Sequence, residues 1–268
     1  MVRVGLIGCG TIGSSLARAI ERTYRRTARL VALHDTNRTH AESLQQSLAS
    51  HPPIVSLSSV IRRSQLVIEA ASAQAAPQVV TLALRAHRDV LVMSVGGLLM
   101  DRTWRRVAQR SRGTLYIPSG ALAGIDGVQA LATGTIRRAT LTTRKPPRAL
   151  AGAPYVQQRR LRLHRLTKPT VIFEGTPREV VKGFPQNTNV AAVLALASGA
   201  SAARIRIRVV ADPTIRVNMH ELDVEGDIGR IRCTVQSRPS ANPKTSELAV
   251  RSALVTLARL FGPVSLGN

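Results

Sequence analysis

The chain has few cysteines and few aromatic residues for its length. Only Cys9 and Cys233 occur among 268 residues, which is too few for a disulfide framework or a cysteine-rich metal site. No metal-ligand spacing such as H-x-x-x-H or C-x-x-C is present, so we expect no bound metal. Aromatic residues make up 3% of the chain, which leaves no row of stacking side chains for the bases of a nucleic acid.

Long apolar runs are also missing. The longest are the length of a strand or are interrupted by arginine, which predicts no transmembrane span. The first residues lead directly into an apolar strand, without the basic and apolar regions of a secretory signal. We therefore expect a cytoplasmic protein with no membrane partner. The length suggests about two domains, each able to bury a core.

Acidic residues are scarce relative to basic ones. The chain has 38 Lys+Arg against 15 Asp+Glu, a formal net charge of +23. Such a surface attracts polyanions. The basic residues are scattered along the chain, however, and together with the low aromatic content this argues against a nucleic-acid partner. An anionic cofactor and an anionic substrate would be drawn to the same field, so the charge alone does not choose a function.

What the chain does have is a glycine motif directly after its first apolar segment. Val2–Ile7 is rich in β-branched residues and predicts a buried strand, and 14–22 predicts a helix. The glycines between them fit G-x-G-x-x-G: Gly8 for a tight turn, Gly10 for close approach to a pyrophosphate, and Gly13 for close helix packing. An ordinary glycine-rich turn is the alternative, but the strand–loop–helix context favours a bound dinucleotide. The residues expected to hold it are Gly8, Gly10, Thr11, Ile12 and Gly13.

An acidic residue follows the second predicted strand. Asp35 lies 22 residues after Gly13, where a carboxylate accepts hydrogen bonds from the adenosine ribose hydroxyls and disfavours a 2′-phosphate. NAD is therefore the first expectation for the cofactor. Arg38 keeps NADP open, although a solvent-exposed charge is its simpler interpretation. The alternative for Asp35 is a helix N-cap.

Strands and helices alternate as far as Pro118. Strands are predicted at 66–71, 89–95 and 113–118, with helices at 77–87 and around 101–110. This alternation predicts an α/β Rossmann domain with a parallel, doubly wound sheet. Because ligands bind at the carboxyl ends of such strands, the loops near Ser72 and 94–97 should line the cofactor cleft.

The second half has a different pattern, with runs of strands and few helices. Strands are predicted at 138–144, 171–175, 204–210, 215–224 and 229–235, so we expect an α+β substrate and dimerisation domain. A dinucleotide domain followed by such a domain implies hydride transfer, with the substrate chosen by the second domain. His220 is the one histidine in a mixed-polarity strand there, between Asn218 and Glu221. It is a candidate proton shuttle, with a purely structural histidine as the alternative.

Several motifs together resemble the L-aspartate dehydrogenase family. They occur in family order over nearly the whole chain, at residues 7–13, 94–98, 118–126, 143–147, 184–192, 212–213, 218–221 and 242–246. The most specific are Asn189-Val190-Ala191-Ala192 and Asn242-Pro243-Lys244-Thr245-Ser246. The resemblance implies NAD(P)-dependent oxidative deamination of L-aspartate to iminoaspartate, with oxaloacetate and ammonia after hydrolysis, as a supply for NAD biosynthesis. Gly97 stands where alanine is common in the family.

The resemblance also assigns residues and domains. It makes His220 the active-site histidine and places Ala121 and Asn189 at the nicotinamide side of NAD or NADP. It implies a homodimer or larger assembly, and a C-terminal helix that returns to the first domain. The expected domains are 1–118 with 243–268, and 119–242.

The two substrate carboxylates require cationic or N–H-rich partners. Arg144, Lys145 and Lys244 are the candidates, and the sequence does not rank them. Two rival functions remain at this point: a related reductase of the dihydrodipicolinate or homoserine type, and a non-enzymatic dinucleotide sensor that binds nucleic acid.

Overall fold

The computed structural model describes residues 1–185, 188–238 and 246–264. These residues form two compact units. The first unit comprises Met1–Pro118 and the described residues from Val250 on, and the second comprises the described residues of Ser119–Ala249. Among the described residues, none of the helices combines the length and the apolar composition needed to cross a membrane.

The first unit contains a parallel sheet, as predicted. Its strands are β1 (Val2–Ile7), β2 (Ala28–His34), β3 (Leu66–Glu69), β4 (Asp89–Val92) and β5 (Leu115–Tyr116). Their order is β2-β1-β3-β4-β5, so the direction of winding reverses between β1 and β3. The strand predicted at 89–95 ends early because the Ser94 N–H donates to a side chain, the Glu69 carboxylate, instead of a neighbouring strand. The α/β fold class is confirmed.

Helices flank this sheet. They are α1 (Thr11–Arg22), α2 (Arg38–Ser47), α3 (Leu57–Arg63), α4 (Ala76–Arg85), α5 (Gly97–Met100), α6 (Thr103–Ala108) and a C-terminal helix, Glu247–Phe261. The sequence pattern does not predict the short helix α3, because so few turns carry too little periodicity. It begins at Ser56, whose side chain accepts from the Ser59 N–H, and it buries Val60 and Ile61.

The C-terminal helix completes the core of the first unit. Its residues Ala253 and Leu257 are fully buried and belong to the same apolar cluster as Leu16 of α1. At the end of the helix, the ring centroids of Phe261 and Tyr24 lie 5.5 Å apart. The last helix therefore stabilises the unit that contains the glycine loop.

The second unit contains a mixed sheet, which confirms its α+β class. Its strands are β6 (Ile136–Lys145), β7 (Thr170–Gly175), β8 (Ile205–Ala211), β9 (Asn218–Gly226) and β10 (Arg230–Ser237). The order is β10-β9-β6-β8-β7, in which β6 and β8 are parallel and the other neighbours are antiparallel. Its helices are α7 (Ile125–Leu131), α8 (Pro147–Leu150), α9 (Pro154–Gln158), α10 (Pro177–Gly183) and α11 (Asn189–Ser198).

The two faces of this second sheet differ in burial. Along β6, Leu141, Thr143 and Lys145 are buried, whereas Thr142 and Arg144 between them are partly exposed. We call the face that carries Leu141, Thr143 and Lys145 the covered face, and the face that carries Thr142 and Arg144 the outer face. Since successive side chains of a strand point to opposite faces, the register of the sheet decides which polar residues can act together.

Candidate active site

The glycine loop after β1 is shaped by close backbone contacts at two of its three glycines. Gly8 has φ = +94°, and a Cβ there would clash with the backbone at Ala70. A Cβ on Gly13 would clash with the Gly8 carbonyl oxygen. Both residues are therefore required by the fold itself. Gly10 is different, because it is exposed and no atom lies within 4 Å of the Cβ position.

The space at Gly10 fits a phosphate group. Helix α1 begins there without a side-chain cap and with no acidic residue in its first turn. Thr11 is exposed and Ile12 half-buried, so the N–H groups of the first turn face an open edge of the fold. Free N–H groups and the helix dipole both favour an anion. The residues present thus suit the pyrophosphate of a dinucleotide.

Asp35 lies beside this loop. Its Oδ2 accepts from the Cys9 N–H at 2.7 Å and its Oδ1 accepts from the Asn37 N–H at 2.8 Å. The alternative of a helix N-cap at Asp35 is wrong, since Asn37 caps α2 by accepting from the Thr39 N–H. The carboxylate therefore joins the end of β2 to the glycine loop. Each oxygen keeps a lone pair for a further donor, such as a ribose hydroxyl.

Arg38 lies on the surface. Its Nε is 2.7 Å from Glu42 Oε1, one turn further along α2, and the Arg38 side chain is 84% exposed. An exposed pair of this kind contributes only about 0.3–0.5 kcal/mol. The pair therefore does not hold the Arg38 side chain in one position, and it does not direct the guanidinium towards a cofactor phosphate.

Cys9 is buried inside the loop. Burial, and secondarily the charge of Asp35, raise the pKa of its thiol to about 12. The thiol is therefore protonated at neutral pH, and it serves as a small core residue.

The structure explains why residue 97 is glycine where alanine is common in the family. A Cβ at Gly97 would clash with the Ala73 carbonyl oxygen, so the loops that follow β3 and β4 meet here at backbone distance. An alanine would need one of the two loops to move.

The second unit gathers four buried polar side chains at one end of the covered face. Thr143 lies directly opposite His220 in the β6–β9 register, and Thr143 Oγ1 is 3.0 Å from His220 Nδ1. Lys145 lies two residues after Thr143 in β6, and Asn218 lies two residues before His220 in the antiparallel β9, so both are buried on the same face towards the same end of the sheet. Helix α11 packs against β6, so the group lies inside the fold of this unit.

The group is electrostatically unbalanced. Burial, and then the positive charge of Lys145, lower the pKa of His220 to about 4. Burial lowers the pKa of Lys145 to about 8, and among the described residues its ammonium has no ion-pair or hydrogen-bond partner. A buried cation without a counter-charge is costly unless an anion joins it. The arrangement offers one cation and one neutral imidazole to an anionic ligand.

Arg144 does not belong to this group, and its role as a substrate ligand stays a prediction. Its side chain lies on the outer face, where Nε is 3.0 Å from Glu221 Oε2. Its neighbour Lys145 points to the covered face because strand side chains alternate. The third candidate, Lys244, lies outside the described residues.

Two further predicted positions belong to the second unit. Ala121 is buried in the segment before α7, and Asn189 is the exposed first residue of α11, where Thr188 occupies the N-cap position. Their contacts with nicotinamide stay predictions.

Sequence reasoning missed Thr143 and Asn218 as members of the site. Asn218 had a local signal, because it lies two residues from His220 on the same strand. Thr143 had none, since its contact with His220 depends on the pairing of two strands that are distant in the sequence.

A doubly wound parallel sheet with an open phosphate loop, followed by a mixed sheet with a buried histidine and lysine, defines a two-domain NAD(P)-dependent dehydrogenase. Two family profiles match the chain: "Homoserine dehydrogenase, NAD binding domain" over residues 8–118, and "Aspartate dehydrogenase, C-terminal" over residues 126–260. The chain belongs to the L-aspartate dehydrogenase family. The predicted family is thereby confirmed.

Individual relatives agree with this assignment. The L-aspartate dehydrogenase of Methanosarcina barkeri is 43% identical over the full length of both chains. L-aspartate dehydrogenase 3 of Bordetella bronchiseptica is 36% identical over 99% of this chain and 97% of its own. The crystal structure of aspartate dehydrogenase from Thermotoga maritima aligns over all of both chains with a TM-score of 0.74 and 23% identity, which shows the same fold.

The loop geometry separates folding from binding. Gly10→Ala is expected to leave the thermal unfolding midpoint nearly unchanged, because its methyl group meets no protein atom, and to weaken NADH binding by occupying the phosphate space. Gly13→Ala is the matched control and should lower the unfolding midpoint. Thermal unfolding and NADH fluorescence titration check both. Unchanged NADH affinity in Gly10→Ala would place the phosphates elsewhere.

Proposed function

We propose that this chain oxidises L-aspartate to iminoaspartate with NAD(P), giving oxaloacetate and ammonia after hydrolysis, in support of NAD biosynthesis. The observation that carries the proposal is the unpaired Lys145 ammonium beside the neutral His220, on one face of a sheet in a member of this family. The alternative, a reductase of the dihydrodipicolinate or homoserine type, would have the same fold and differ in its substrate.

Lys145 is the group we propose to bind a substrate carboxylate. Its charge has no partner among the described side chains, and aspartate brings two carboxylates. Asn218, buried on the same face, is placed to add an amide N–H. A charge-assisted bond of this kind is stronger than one between neutral groups. The site therefore favours a small dianionic substrate.

His220 is the group we propose to move the proton. If Nδ1–H donates to Thr143 Oγ1, Nε2 keeps its lone pair and accepts the proton that the substrate ammonium must lose before oxidation. When bound, the oxidised nicotinamide supplies the acceptor for the hydride that leaves the aspartate Cα. The amine lone pair then forms the C=N bond of the protonated imine, which loses a proton to solvent to give iminoaspartate, and His220 returns to solvent the proton it took from the ammonium. The resemblance adds Ala121 and Asn189 as nicotinamide contacts.

Substrate binding also changes the strength of this base. The charge of Lys145 is one cause of the low pKa of His220. A carboxylate bound to Lys145 offsets that charge, so the pKa of His220 rises as the substrate arrives. The imidazole thus becomes a better proton acceptor when the substrate, with its ammonium group, is bound.

We propose NAD as the preferred cofactor. Asp35 lies beside the glycine loop with its oxygens oriented by two backbone N–H groups. A 2′-phosphate at this position would meet a fixed carboxylate, whereas a ribose hydroxyl would donate to it. The weak Arg38–Glu42 pair supplies little to offset that repulsion.

We further propose a homodimer through the outer face of the second sheet. There, arginines of β8 and β10 alternate with acidic residues of β7 and β9; the closest pairs are Arg208–Glu174 at 2.7 Å and Arg230–Asp223 at 2.6 Å. Because cationic and anionic rows lie side by side, the face is complementary to a second copy of itself. The acidic rows make it a poor surface for nucleic acid.

We also propose a location and domain limits for the chain. They are a cytoplasmic location, which fits a reaction that draws on the cellular dinucleotide pool, and domain limits of 1–118 with 243–268 and of 119–242.

The central test is a spectrophotometric NAD(P)H assay with L-aspartate, and in reverse with oxaloacetate and ammonia. We expect turnover in both directions, a higher kcat/KM with NAD than with NADP, and a loss of roughly 10²–10⁴-fold in His220→Ala. His164→Ala, an exposed histidine of the same unit, is the matched control and should retain activity. Inactivity of the wild type in both directions would refute the proposed reaction.

The pH profile tests Lys145. With His220 required neutral and Lys145 required charged, kcat/KM for aspartate should fall below about pH 4 and above about pH 8. Lys145→Met should abolish the alkaline decline, move the acid decline upward by removing a charge that lowers the pKa of His220, and raise KM for aspartate by roughly 10–100-fold. Lys168→Met, an exposed lysine, is the control. An unchanged KM and acid limb in Lys145→Met would exclude the assigned role.

Light scattering tests the dimer. The wild type should have twice the chain mass, and Thr142→Arg, in the middle of the outer face, should shift the protein to monomer by adding like charge at the contact. Thr133→Arg, an exposed position beyond α7, is the control. A monomeric wild type would contradict the proposal.

A further inference from the structure

Glu69 is a fully buried carboxylate at the end of β3. In the sheet it lies between Ile7 of β1 and Val92 of β4. Its Oε1 accepts from the Ala71 N–H at 2.9 Å, and its Oε2 accepts from the Ser94 N–H at 3.0 Å. One side chain therefore binds the second residue of each of two loops, the one after β3 and the one after β4.

Packing does not explain this residue. Burial raises the pKa of Glu69 in spite of the hydrogen bonds it accepts from Ala71, Ser72 and Ser94. Among the described residues Glu69 has no cationic partner. The preceding residues of the strand, Val67 and Ile68, are buried and apolar. An aliphatic residue would fill the same space without the penalty for burying a carboxylate. What Glu69 supplies instead is a fixed distance between two loops.

The position of these loops indicates what they serve. Ligands of a doubly wound sheet bind where the winding reverses, which here is between β1 and β3. Asp35 at the end of β2 marks the adenosine side, and the glycine loop after β1 marks the pyrophosphate. A dinucleotide that continues in the same direction reaches the ends of β3 and β4, so the loops held by Glu69 lie on the nicotinamide side.

We propose that Glu69 is a positioning residue for the nicotinamide half of the cofactor. It acts through the backbone of Ala71 and Ser94, and it does not itself touch the cofactor. The close contact of Gly97 with Ala73 joins the same two loops at a second point. The inference rests on the proposed function only in assuming a bound dinucleotide.

The test is calorimetric titration of Glu69→Gln with NADH and with ADP, which lacks the nicotinamide half. The amide keeps one acceptor oxygen and turns an N–H donor toward the other backbone N–H. We expect NADH affinity to fall by about tenfold or more and ADP affinity to stay within about twofold. Glu21→Gln is the matched control, because Glu21 accepts from the Ala49 and Ser50 N–H groups at 3.0 Å each, at the other end of α1. Its affinities for both ligands should not change.

A second variant guards against misfolding of the first. Glu69→Asp keeps a carboxylate of shorter reach and should show a smaller loss of NADH affinity, again with ADP unchanged. Unchanged NADH affinity in both variants, or equal losses for NADH and ADP, would overturn the inference. If the wild type binds NADH but does not turn over aspartate, the proposed reaction fails while the role of Glu69 stands.

Discussion

Helix α1 lies so close to strand β1 that residue 13 has no room for a side chain beneath the Gly8 carbonyl oxygen. This contact fixes the loop between the two elements and presents the first turn of the helix at the carboxyl edge of the sheet. Asp35 then attaches the neighbouring strand to the same loop through the Cys9 N–H. The open space at Gly10 depends on Gly8 and Gly13, because both lie in contact with backbone atoms where a side chain would not fit.

The second unit depends on a different constraint, the two-residue period of its strands. Adjacent residues of β6 serve different purposes because of it: Lys145 joins His220 inside the fold, and Arg144 joins Glu221 on the outer face. The two proposals, a reaction at His220 and a dimer contact on the outer face, thus concern opposite sides of one sheet. A one-residue change of register would exchange the two, which makes the pairing of β6 with β9 the most consequential feature of this unit.

The sequence predicts features that depend on neighbours along the chain. The glycine loop and the strand that carries His220 are of this kind. The alternation of strands and helices in the first half predicts the α/β class, and the runs of strands with few helices in the second half predict the α+β class. The sequence does not separate Lys145 from Arg144, because that choice requires the face of the sheet. Nor can it find Glu69, whose proposed role depends on a hydrogen bond from Ser94, 25 residues away.

The thiol of Cys9 lies in a loop that leads into the N-terminus of α1. The N-terminus of a helix favours an anion and usually lowers the pKa of a nearby cysteine, which makes the thiol reactive. Here burial and the adjacent Asp35 carboxylate have the opposite effect and keep the sulfur protonated. Peroxides and electrophiles attack thiolates, so this loop presents them with almost none. The glycine loop therefore carries a buried, protonated sulfur, and it lies on the pyrophosphate side of the sheet, away from the ends of β3 and β4 where we place the nicotinamide.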